Sequence, residues 1–373
     1  MRILHIINNL GSGGAEKLIE QLLPILNKKN QVRADVLLLT DEGNVFEKDL
    51  HDNGVRVSVV PLRKPKSPRN VFYILRHIQQ GKYDIVHAHL FPALYWTAFA
   101  ARLISQDRPV FFVTEHSTHN RRRGKWFLRP VERIVYESYD GVVCISEKTR
   151  DNLIQWLGAH DDQRFITIYN GVDVELFKNA IPYRKYEICP DFNEQTILIS
   201  MTGRFSIQKD QRTLIYCMNR LPGHVHLLLI GDGPLRAACE DLAEKLGIDQ
   251  RVHFLGFRKD VERIVKASDL VVLSSHWEGF GLAAVEGMAA GKPVIASNVP
   301  GLAEVVENAG ILFKAGDSEE LVKAISSLLD DEEKYRCVAN ACAERAAVFD
   351  NTKMVDRYLA CYKDLHHVNT YRL

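Results

Sequence analysis

The sequence has 373 residues, of which 46% are hydrophobic and 25% charged, which indicates about two globular domains and excludes a disordered or fibrous protein. A net charge of +1 and a pI near 7.7 argue against a nucleic-acid-binding protein, and no apolar run approaches the length of a transmembrane helix. The seven cysteines are scattered and form no Cys-x-x-Cys pair, which indicates a reduced cytosolic protein without a zinc site. The apolar segment at the N-terminus is too short for a signal peptide, so we do not expect export.

Short apolar runs alternate with helical stretches along the whole sequence. Continuous apolar runs are typical of strands buried on both faces, and their alternation with helices predicts a parallel, doubly wound sheet in each half. Ligands of such sheets bind beyond the carboxyl ends of the strands. The predicted strands are 3–7, 36–39, 57–60, 85–87, 111–113, 142–145 and 166–169, and then 197–201, 225–230, 252–255, 270–273, 294–296 and 311–313.

A glycine-rich loop containing Gly13 and Gly14 follows the first predicted strand, and a helix is predicted over 15–26. Such a loop lets the backbone approach a phosphate closely, or it is simply a tight turn that permits packing. A dinucleotide fingerprint would require glycine where Glu16 stands, so the pattern disfavours a nicotinamide site.

Histidines stand at the ends of two predicted strands that are consecutive in the chain. His87 and His89 close the fourth strand, and His116 follows the fifth. A histidine in this position is commonly a structural hydrogen-bonding group, and it can also belong to an active site. His87 and His89 could begin a metal site, but no carboxylate or cysteine ligand pattern accompanies them.

The stretch 121–133 combines six basic residues with one acidic residue and with apolar side chains. This composition fits the edge of an anionic membrane or a pyrophosphate-bearing lipid. The alternative is a solvated helix face whose aromatic side chains pack inward. The candidate contacts to a membrane or an acceptor are Arg121, Arg122, Arg123, Lys125 and Trp126.

Two cations follow the first predicted strand of the second half. Arg204 and Lys209 are either ordinary surface charges or a pair that converges on a diphosphate. Residues 179–194, just before this half, mix prolines with charged residues without a clear period and are predicted to be a connector.

The strand 270–273 runs into a glycine loop and then a helix. Gly279 and Gly281 allow the backbone to approach a ligand, and the N-terminus of the helix that begins near Leu282 favours a phosphate. Glu286 lies one turn into this apolar helix, where a carboxylate requires a partner. That partner is either a ribose diol or a structural salt bridge.

Glu278 and Glu286, with Gly-Phe-Gly-Leu between them and Gly-Lys-Pro-Val-Ile-Ala after them, resemble the nucleotide-sugar signature of the family-4 retaining glycosyltransferases. Those enzymes have the GT-B fold, an α/β architecture of two facing Rossmann-like domains with doubly wound parallel sheets. The resemblance extends over nearly the whole chain. It implies an acceptor-binding domain over 1–178, a nucleotide-sugar-binding domain over 179–351, and a C-terminal helix, 352–373, that crosses back to the first domain.

The same resemblance implies roles for individual residues. Glu278 faces the donor sugar, and Glu286 binds the ribose hydroxyls. Arg204 and Lys209 neutralise the diphosphate leaving group, and His116 lies near the C6 hydroxyl of the donor sugar. Further nucleotide-sugar contacts fall on Gly13, Gly14, Gly231, Gly233, Phe257, Gly279, Phe280, Gly281 and Leu282.

The implied reaction moves a sugar from a UDP-sugar to an acceptor hydroxyl with retention at the anomeric carbon. No Asp-x-Asp motif is present, which agrees with chemistry that requires no metal or other cofactor. Within the family, the pattern is most similar to bacterial enzymes that build O-antigen and other surface polysaccharides on a polyprenyl-diphosphate lipid, with N-acetylgalactosamine or a related hexose as the donor sugar. A peripheral protein on the inner face of the cell membrane is therefore expected. A sugar-nucleotide epimerase of the same fold and a non-catalytic transferase partner are the alternatives.

Overall fold

The computed structural model describes residues 1–118, 122–159 and 163–370 of the chain. The chain divides into two compact units. Unit 1 contains residues 1–171 and 351–373, and unit 2 contains residues 172–350. The predicted α/β class is confirmed, because each unit contains one parallel sheet with helices between its strands.

The sheet of unit 1 has seven strands, and the described pairings between neighbours are parallel. The strand order is β3-β2-β1-β4-β5-β6-β7, so the direction of winding reverses between β1 and β4. In a doubly wound sheet this reversal opens a crevice at the carboxyl ends of the two strands. The strands are β1 (Arg2–Ile7), β2 (Arg33–Leu38), β3 (Val57–Val59), β4 (Ile85–His89), β5 (Val110–Glu115), β6 (Gly141–Cys144) and β7 (Phe165–Thr167).

Helices cover the sheet of unit 1, and apolar clusters fill both of its faces. One cluster contains Leu4, Ile6 and Val86, and the other contains Ile3, Ile7 and Ile85, because successive strand side chains point to opposite faces. The helices that precede unit 2 in the chain are α1 (Gly14–Lys28), α2 (Glu47–Asp52), α3 (Asn70–Gly81), α4 (Ala93–Ala101), α5 (Arg129–Tyr136) and α6 (Glu147–Leu157).

The sheet of unit 2 repeats this topology with six strands in the order β10-β9-β8-β11-β12-β13. The strands are β8 (Ile197–Thr202), β9 (Val225–Ile230), β10 (Val252–Gly256), β11 (Leu270–Leu273), β12 (Val294–Ser297) and β13 (Ile311–Phe313). The helices are α7 (Val174–Lys178), α8 (Lys185–Ile188), α9 (Gln211–Met218), α10 (Arg236–Lys245), α11 (Val261–Ala267), α12 (Leu282–Ala289), α13 (Leu302–Val306), α14 (Ser318–Leu329) and α15 (Glu332–Ala346). The winding reverses between β8 and β11, so the predicted cations and glycine loop stand at the edge where a doubly wound sheet binds ligands.

The last helix, α16 (Asn351–Thr370), belongs to unit 1 although it follows unit 2 in the chain. It contacts α1 and β5, and its side chains Met354, Val355, Tyr358 and Tyr362 are buried in the core of unit 1. The terminal helix therefore completes the hydrophobic core on one face of the first sheet.

The segment predicted as a connector, 179–194, packs on unit 2 and lies within the predicted second domain. Tyr183 donates a hydrogen bond to Asp260 at 2.6 Å and lies under the guanidinium of Arg263, while Phe192 is buried against the sheet. The boundaries between the units lie at Gly171–Val172 and at Asp350–Asn351.

Candidate functional site

Glu278 is the centre of a buried polar cluster at the carboxyl edge of the sheet in unit 2. Its carboxylate is paired with the ammonium of Lys209, and the side chain of Ser275 donates a hydrogen bond to the same carboxylate oxygen at 2.8 Å. The amide of Gln208 donates to the other oxygen at 3.4 Å. Glu278 is only 5% exposed, so these contacts compensate for its removal from water.

Two loops are tied together around this cluster. One follows β8 and the other follows β11, and the two strands are neighbours in the sheet. The hydroxyl of Ser274 donates to the carbonyl of Asp210 at 2.7 Å, and the backbone N–H of His276 donates to the carbonyl of Gln208 at 2.8 Å. The pairing of Lys209 with Glu278 is therefore held by the backbones of both loops.

Gln208 and Ser275 are contacts that the sequence analysis missed. Both are neutral polar residues, and neither belongs to a spacing pattern that marks a chemical role. A usable signal was position, because Gln208 precedes Lys209 directly and Ser275 stands two residues past the end of β11. The carboxyl ends of strands at the reversal of winding are where polar side chains meet.

The glycine turn after β9 lies against the turn after β8. A side chain at Gly231, whose φ is +135°, would place its Cβ 2.2 Å from the carbonyl oxygen of Gly203. The backbone N–H of Gly231 also donates to the carbonyl of Gly256 at 2.8 Å, which joins the end of β10 to the same turn. Gly233 lies next to Arg204, whose side chain is exposed. Arg204 thus stands at the rim of this edge and is exposed to solvent.

Helix α12 begins at the predicted glycine loop. Gly281 precedes its first turn with φ +97°, a conformation that favours glycine. Glu286 lies in the second turn of the helix and is partly exposed. Phe280 is 2% exposed and packs edge-on against Phe349, so a ligand can meet only the backbone of Phe280.

The remaining predicted contacts in unit 2 are spread along the sheet edge. Gly279 and Leu282 are partly exposed and flank Gly281 in the loop before α12. Phe257 is 47% exposed at the end of β10, and two strands, β9 and β8, lie between β10 and β11 in the sheet. The site residues predicted in unit 2 therefore follow four neighbouring strands.

Unit 1 carries histidines at the corresponding edge of its sheet. His5 is opposite His87 in the pairing of β1 with β4. Nδ1 of His5 is 3.0 Å from Nε2 of His89, and Nδ1 of His89 is 3.0 Å from Nε2 of His116. Burial lowers the pKa of His5 and of His116 to about 3, and it lowers the pKa of His87 and His89 well below the usual value, so the four rings are neutral at pH 7.

The contacts of His87 are separate from that row. Its Nδ1 is 2.6 Å from the hydroxyl of Tyr362, and its Nε2 is 2.7 Å from the hydroxyl of Thr114. His87 and His89 stand out in the sequence, whereas His5 does not, because it looks like an ordinary residue inside a buried strand. Only the strand register brings it to the pair.

His5, His87 and His89 are close enough by distance to hold a metal ion, since their ligand atoms lie within 4.8 Å of one another. Their ring planes, however, are nearly parallel, 14–19° apart, with centroids 4.4–5.2 Å apart. Both nitrogens of His87 and both of His89 also have hydrogen-bonding neighbours. Nδ1 of His5 already faces Nε2 of His89 at 3.0 Å, and both nitrogens of His87 face hydroxyl groups, so this geometry favours hydrogen-bonded imidazoles over a cation site.

The basic stretch of unit 1 is divided between internal and external side chains. Arg122 pairs with the fully buried Glu132 at 2.7 Å, and Arg123 pairs with the buried Glu115 at 3.0 Å. These two guanidinium groups therefore neutralise buried carboxylates of unit 1. This corrects the expectation that they form part of a basic surface. Arg121 lies outside the described residues.

The aromatic residues of the same stretch face outward. Trp126 is 82% exposed and Phe127 57% exposed, and Lys125 beside them is exposed as well. The expectation that aromatic side chains pack inward as part of a helix face does not describe these two residues. Gly13 and Gly14 are also exposed, at the start of α1. Among the described residues no helix is both long and apolar enough to cross a membrane.

Comparison with known proteins gives consistent matches for both halves of the chain. Residues 12–176 match the family described as Glycosyltransferase Family 4, and residues 188–345 match Glycosyl transferases group 1. The two matches meet near the boundary between the predicted domains.

Two curated relatives and one solved structure are similar over most of their length. An Escherichia coli UDP-Gal:alpha-D-GlcNAc-diphosphoundecaprenol alpha-1,3-galactosyltransferase is 26% identical over 373 residues, which cover 92% of this chain and 96% of the relative. A D-inositol 3-phosphate glycosyltransferase of Mycolicibacterium smegmatis is 30% identical over 306 residues, covering 76% and 68%. The crystal structure of Anabaena HepE in complex with UDP and glucose has a TM-score of 0.85 and 25% identity, covering 97% of this chain and 99% of HepE.

Proposed function

The chain belongs to the family-4 glycosyltransferases with the GT-B fold, and on this premise we propose that it transfers a hexose or N-acetylhexosamine from a UDP-sugar to a lipid-diphosphate-linked saccharide. The proposal includes retention of configuration at the anomeric carbon. The observation that carries it is the pairing of Lys209 with the buried Glu278 at the reversal of winding in unit 2.

The nucleotide part of the donor is assigned to unit 2. The first turn of α12 presents backbone N–H groups and the positive end of the helix dipole, which suits a diphosphate. Glu286, in the second turn, offers a carboxylate that can accept hydrogen bonds from both ribose hydroxyls. The choice of UDP is supported by HepE, which was solved with UDP, and by the E. coli relative, which uses UDP-Gal.

Lys209 and Arg204 stabilise the leaving group in this proposal. As the bond from the anomeric carbon to the phosphate oxygen breaks, negative charge accumulates on the diphosphate. The ammonium of Lys209 has three N–H donors, so it can keep its bond to Glu278 and still donate to a phosphate oxygen. Arg204 stands exposed at the rim, and its guanidinium can close on the phosphates.

No metal is needed for this charge balance, and we propose metal-independent transfer. Two cationic side chains and the α12 terminus supply the positive charge that a divalent ion supplies in other transferases. Glu278 orients the sugar instead of attacking it, because its carboxylate is already engaged by Lys209, Ser275 and Gln208. The acceptor oxygen bonds to the anomeric carbon, and its proton passes to the departing phosphate oxygen on the same face of the sugar.

The acceptor is assigned to unit 1 and to a membrane surface. The E. coli relative acts on GlcNAc-diphosphoundecaprenol, which is a lipid-diphosphate-linked sugar. Trp126, Phe127 and Lys125 form an exposed aromatic and basic patch of the kind that lies at a lipid headgroup boundary. We propose peripheral attachment to the inner face of the cell membrane, with N-acetylgalactosamine or a related hexose added during synthesis of O-antigen or another surface polysaccharide.

The test begins with calorimetric titration of the protein with UDP, GDP and ADP, first without metal and then with magnesium. We expect selective UDP binding that magnesium does not change. A panel of UDP-sugars with synthetic lipid-diphosphate saccharides then identifies the product, and its anomeric configuration is read by NMR. The matched variant Glu278→Gln is expected to retain UDP binding and lose transfer.

Two other outcomes would replace the proposal. Conversion of a UDP-sugar to its epimer without an acceptor would identify an epimerase. Failure to bind any of the three nucleotides, with or without lipid acceptor, would identify a non-catalytic partner. Binding that requires magnesium would overturn the metal-independent mechanism alone.

A further inference from the structure

Three imidazoles in unit 1 form a row in which Nδ1 of one ring faces Nε2 of the next. Nδ1 of His5 lies 3.0 Å from Nε2 of His89, and Nδ1 of His89 lies 3.0 Å from Nε2 of His116. Both distances are those of N–H···N hydrogen bonds. His5 and His89 are fully buried on adjacent strands, whereas His116 is partly exposed just past the end of β5.

Each of these rings carries a single ring proton at neutral pH. Burial depresses the pKa of all three far below 7, so none of them is an imidazolium. A neutral imidazole has one nitrogen that donates and one that accepts. The positions of the three protons are therefore linked through the two bonds of the row.

We propose that His5 and His89 are positioning residues that lock His116 into a single tautomer, and that all three rings carry their proton on the same type of nitrogen. The reason is geometric. Each bond joins an Nδ1 to an Nε2, so a ring that donates through Nδ1 obliges the next ring to accept at Nε2 and to keep its own proton on Nδ1.

A mixed set of tautomers would break the row. Changing one ring alone brings either two N–H groups or two lone pairs face to face at 3.0 Å, in a core where water cannot replace the lost bond. Two states remain, one with all protons on Nδ1 and one with all protons on Nε2. A ring can change state only together with the other two.

The nitrogens at the two ends of the row show how the tautomer of His116 can affect a ligand. At the inner end, Nε2 of His5 is buried and has no hydrogen-bond partner among the described residues. At the outer end, Nδ1 of His116 likewise has no partner within ranges 1–118, 122–159 and 163–370, and its ring is partly exposed. Nδ1 of His116 is thus presented as either a fixed donor or a fixed acceptor.

This inference rests on the proposed function only for the identity of the ligand, a hydroxyl of the transferred sugar. A hydroxyl that meets a fixed donor must accept, and its own proton must then be directed elsewhere. The row therefore fixes the orientation of that hydroxyl, which is a specificity determinant supplied by two residues that do not themselves reach the ligand.

The direct test is NMR of the full chain with nitrogen-15 in its histidine rings, at neutral pH and without donor. Long-range proton–nitrogen correlations report which nitrogen of each ring is protonated, and the substitutions His5→Phe and His116→Gln identify the signals. We expect His5, His89 and His116 to show the same protonated nitrogen. Different tautomers among the three, averaged signals, or a doubly protonated ring would overturn the proposal, whether or not the protein transfers a sugar.

The row is then cut with His89→Phe, which removes the middle ring, the one that is bonded to His116. His116 is expected to show a mixture of tautomers, and kcat/KM to fall about fivefold, the size of one neutral hydrogen bond, with UDP affinity unchanged. The matched control is Tyr362→Phe, which deletes an equally buried hydroxyl bonded to His87 outside the row. An unchanged His116 tautomer in folded His89→Phe, or a changed one in Tyr362→Phe, would contradict the assignment.

Discussion

The two sheets place their polar side chains at the same topological position and fill it with opposite chemistry. In unit 1 the reversal between β1 and β4 gathers neutral imidazoles, whereas in unit 2 the reversal between β8 and β11 gathers the charged pair of Lys209 and Glu278. The reversal of winding determines where the polar side chains gather, and the residues within and after these strands determine their charge. One edge is therefore suited to directional hydrogen bonds and the other to an anionic leaving group.

The charged edge is tested by removing its cation. Lys209→Met leaves the carboxylate of Glu278 buried and unpaired, and we expect a loss of about 3 kcal/mol in the free energy of unfolding of unit 2. Transfer is expected to fall by roughly two to three orders of magnitude, because the charge that we propose stabilises the leaving group is lost. Denaturant titration and a transfer assay measure the two effects.

The double variant Lys209→Met with Glu278→Gln is the control for this experiment. It removes the buried charge together with its partner, so most of the lost stability should return while transfer remains absent. If the single variant is as stable as the unmodified protein, the pair is not a structural centre of the edge.

The nucleotide contact of the charged edge is tested at α12. Glu286→Ala is expected to weaken UDP binding by about 1.5–3 kcal/mol, the cost of losing hydrogen bonds to a charged group. Isothermal titration calorimetry gives this difference. The control Glu333→Ala removes an exposed carboxylate on α15 in the same unit. Equal UDP affinity in the two variants would exclude a ribose contact for Glu286.

The neutral histidines of unit 1 are tested by measuring how the free energy of unfolding changes as the pH is lowered. The pKa of His5 is about 3 in the folded protein, below the 6.5 of an unperturbed histidine, so the unfolded chain binds the extra proton first. Stability from this residue is therefore complete above pH 6.5 and declines as the pH falls. Between pH 6.5 and pH 5 the expected loss is about 2 kcal/mol for this ring.

Urea titrations at pH 7, 6 and 5 measure this decline. The variant His5→Phe should show a shallower decline, since one titrating ring has been removed from the folded core. A stability that is constant over this range would mean that the rings of unit 1 take up protons as readily in the folded protein as in the unfolded chain.

The smallest expected effect concerns the exposed patch that unit 1 carries besides its neutral edge. Changing Trp126 and Phe127 to Ser and Lys125 to Glu should reduce binding to anionic vesicles about tenfold, through lost apolar burial and lost attraction. Vesicle sedimentation measures it. The control Phe72→Ser alters a side chain that is 67% exposed on α3 of the same unit. An equal loss in the control would show that any exposed aromatic residue suffices.

Most of the strands could be predicted because they are continuous apolar runs. The predicted 225–230, 270–273 and 311–313 coincide with β9, β11 and β13, and the others differ by a few residues at their ends. The roles of the site residues in unit 2 remain predictions, but their meeting at one edge follows from sheet topology. The partner of Lys209 lies 69 residues away and could not be deduced from local spacing.

Predictions were less successful where a partner distant in the chain decides the environment. Arg122 and Arg123 look like surface charges in the sequence. In the structure they form ion pairs with the buried carboxylates of Glu132 and Glu115. His5 gave no signal at all, because its meeting with His89 depends on the pairing of β1 with β4. Tertiary contacts of this kind override the local pattern.

The position of α16 has a consequence for synthesis of the chain. Unit 2 is one continuous segment, 172–350, and can fold as soon as it has left the ribosome. Unit 1 cannot be completed at that moment, because Tyr358 and Tyr362, whose hydroxyls face Thr114 and His87, are translated after the whole of unit 2. Unit 1, whose synthesis begins before that of unit 2, therefore completes its folding after unit 2. A chain truncated before α16 contains a complete unit 2 and an incomplete unit 1.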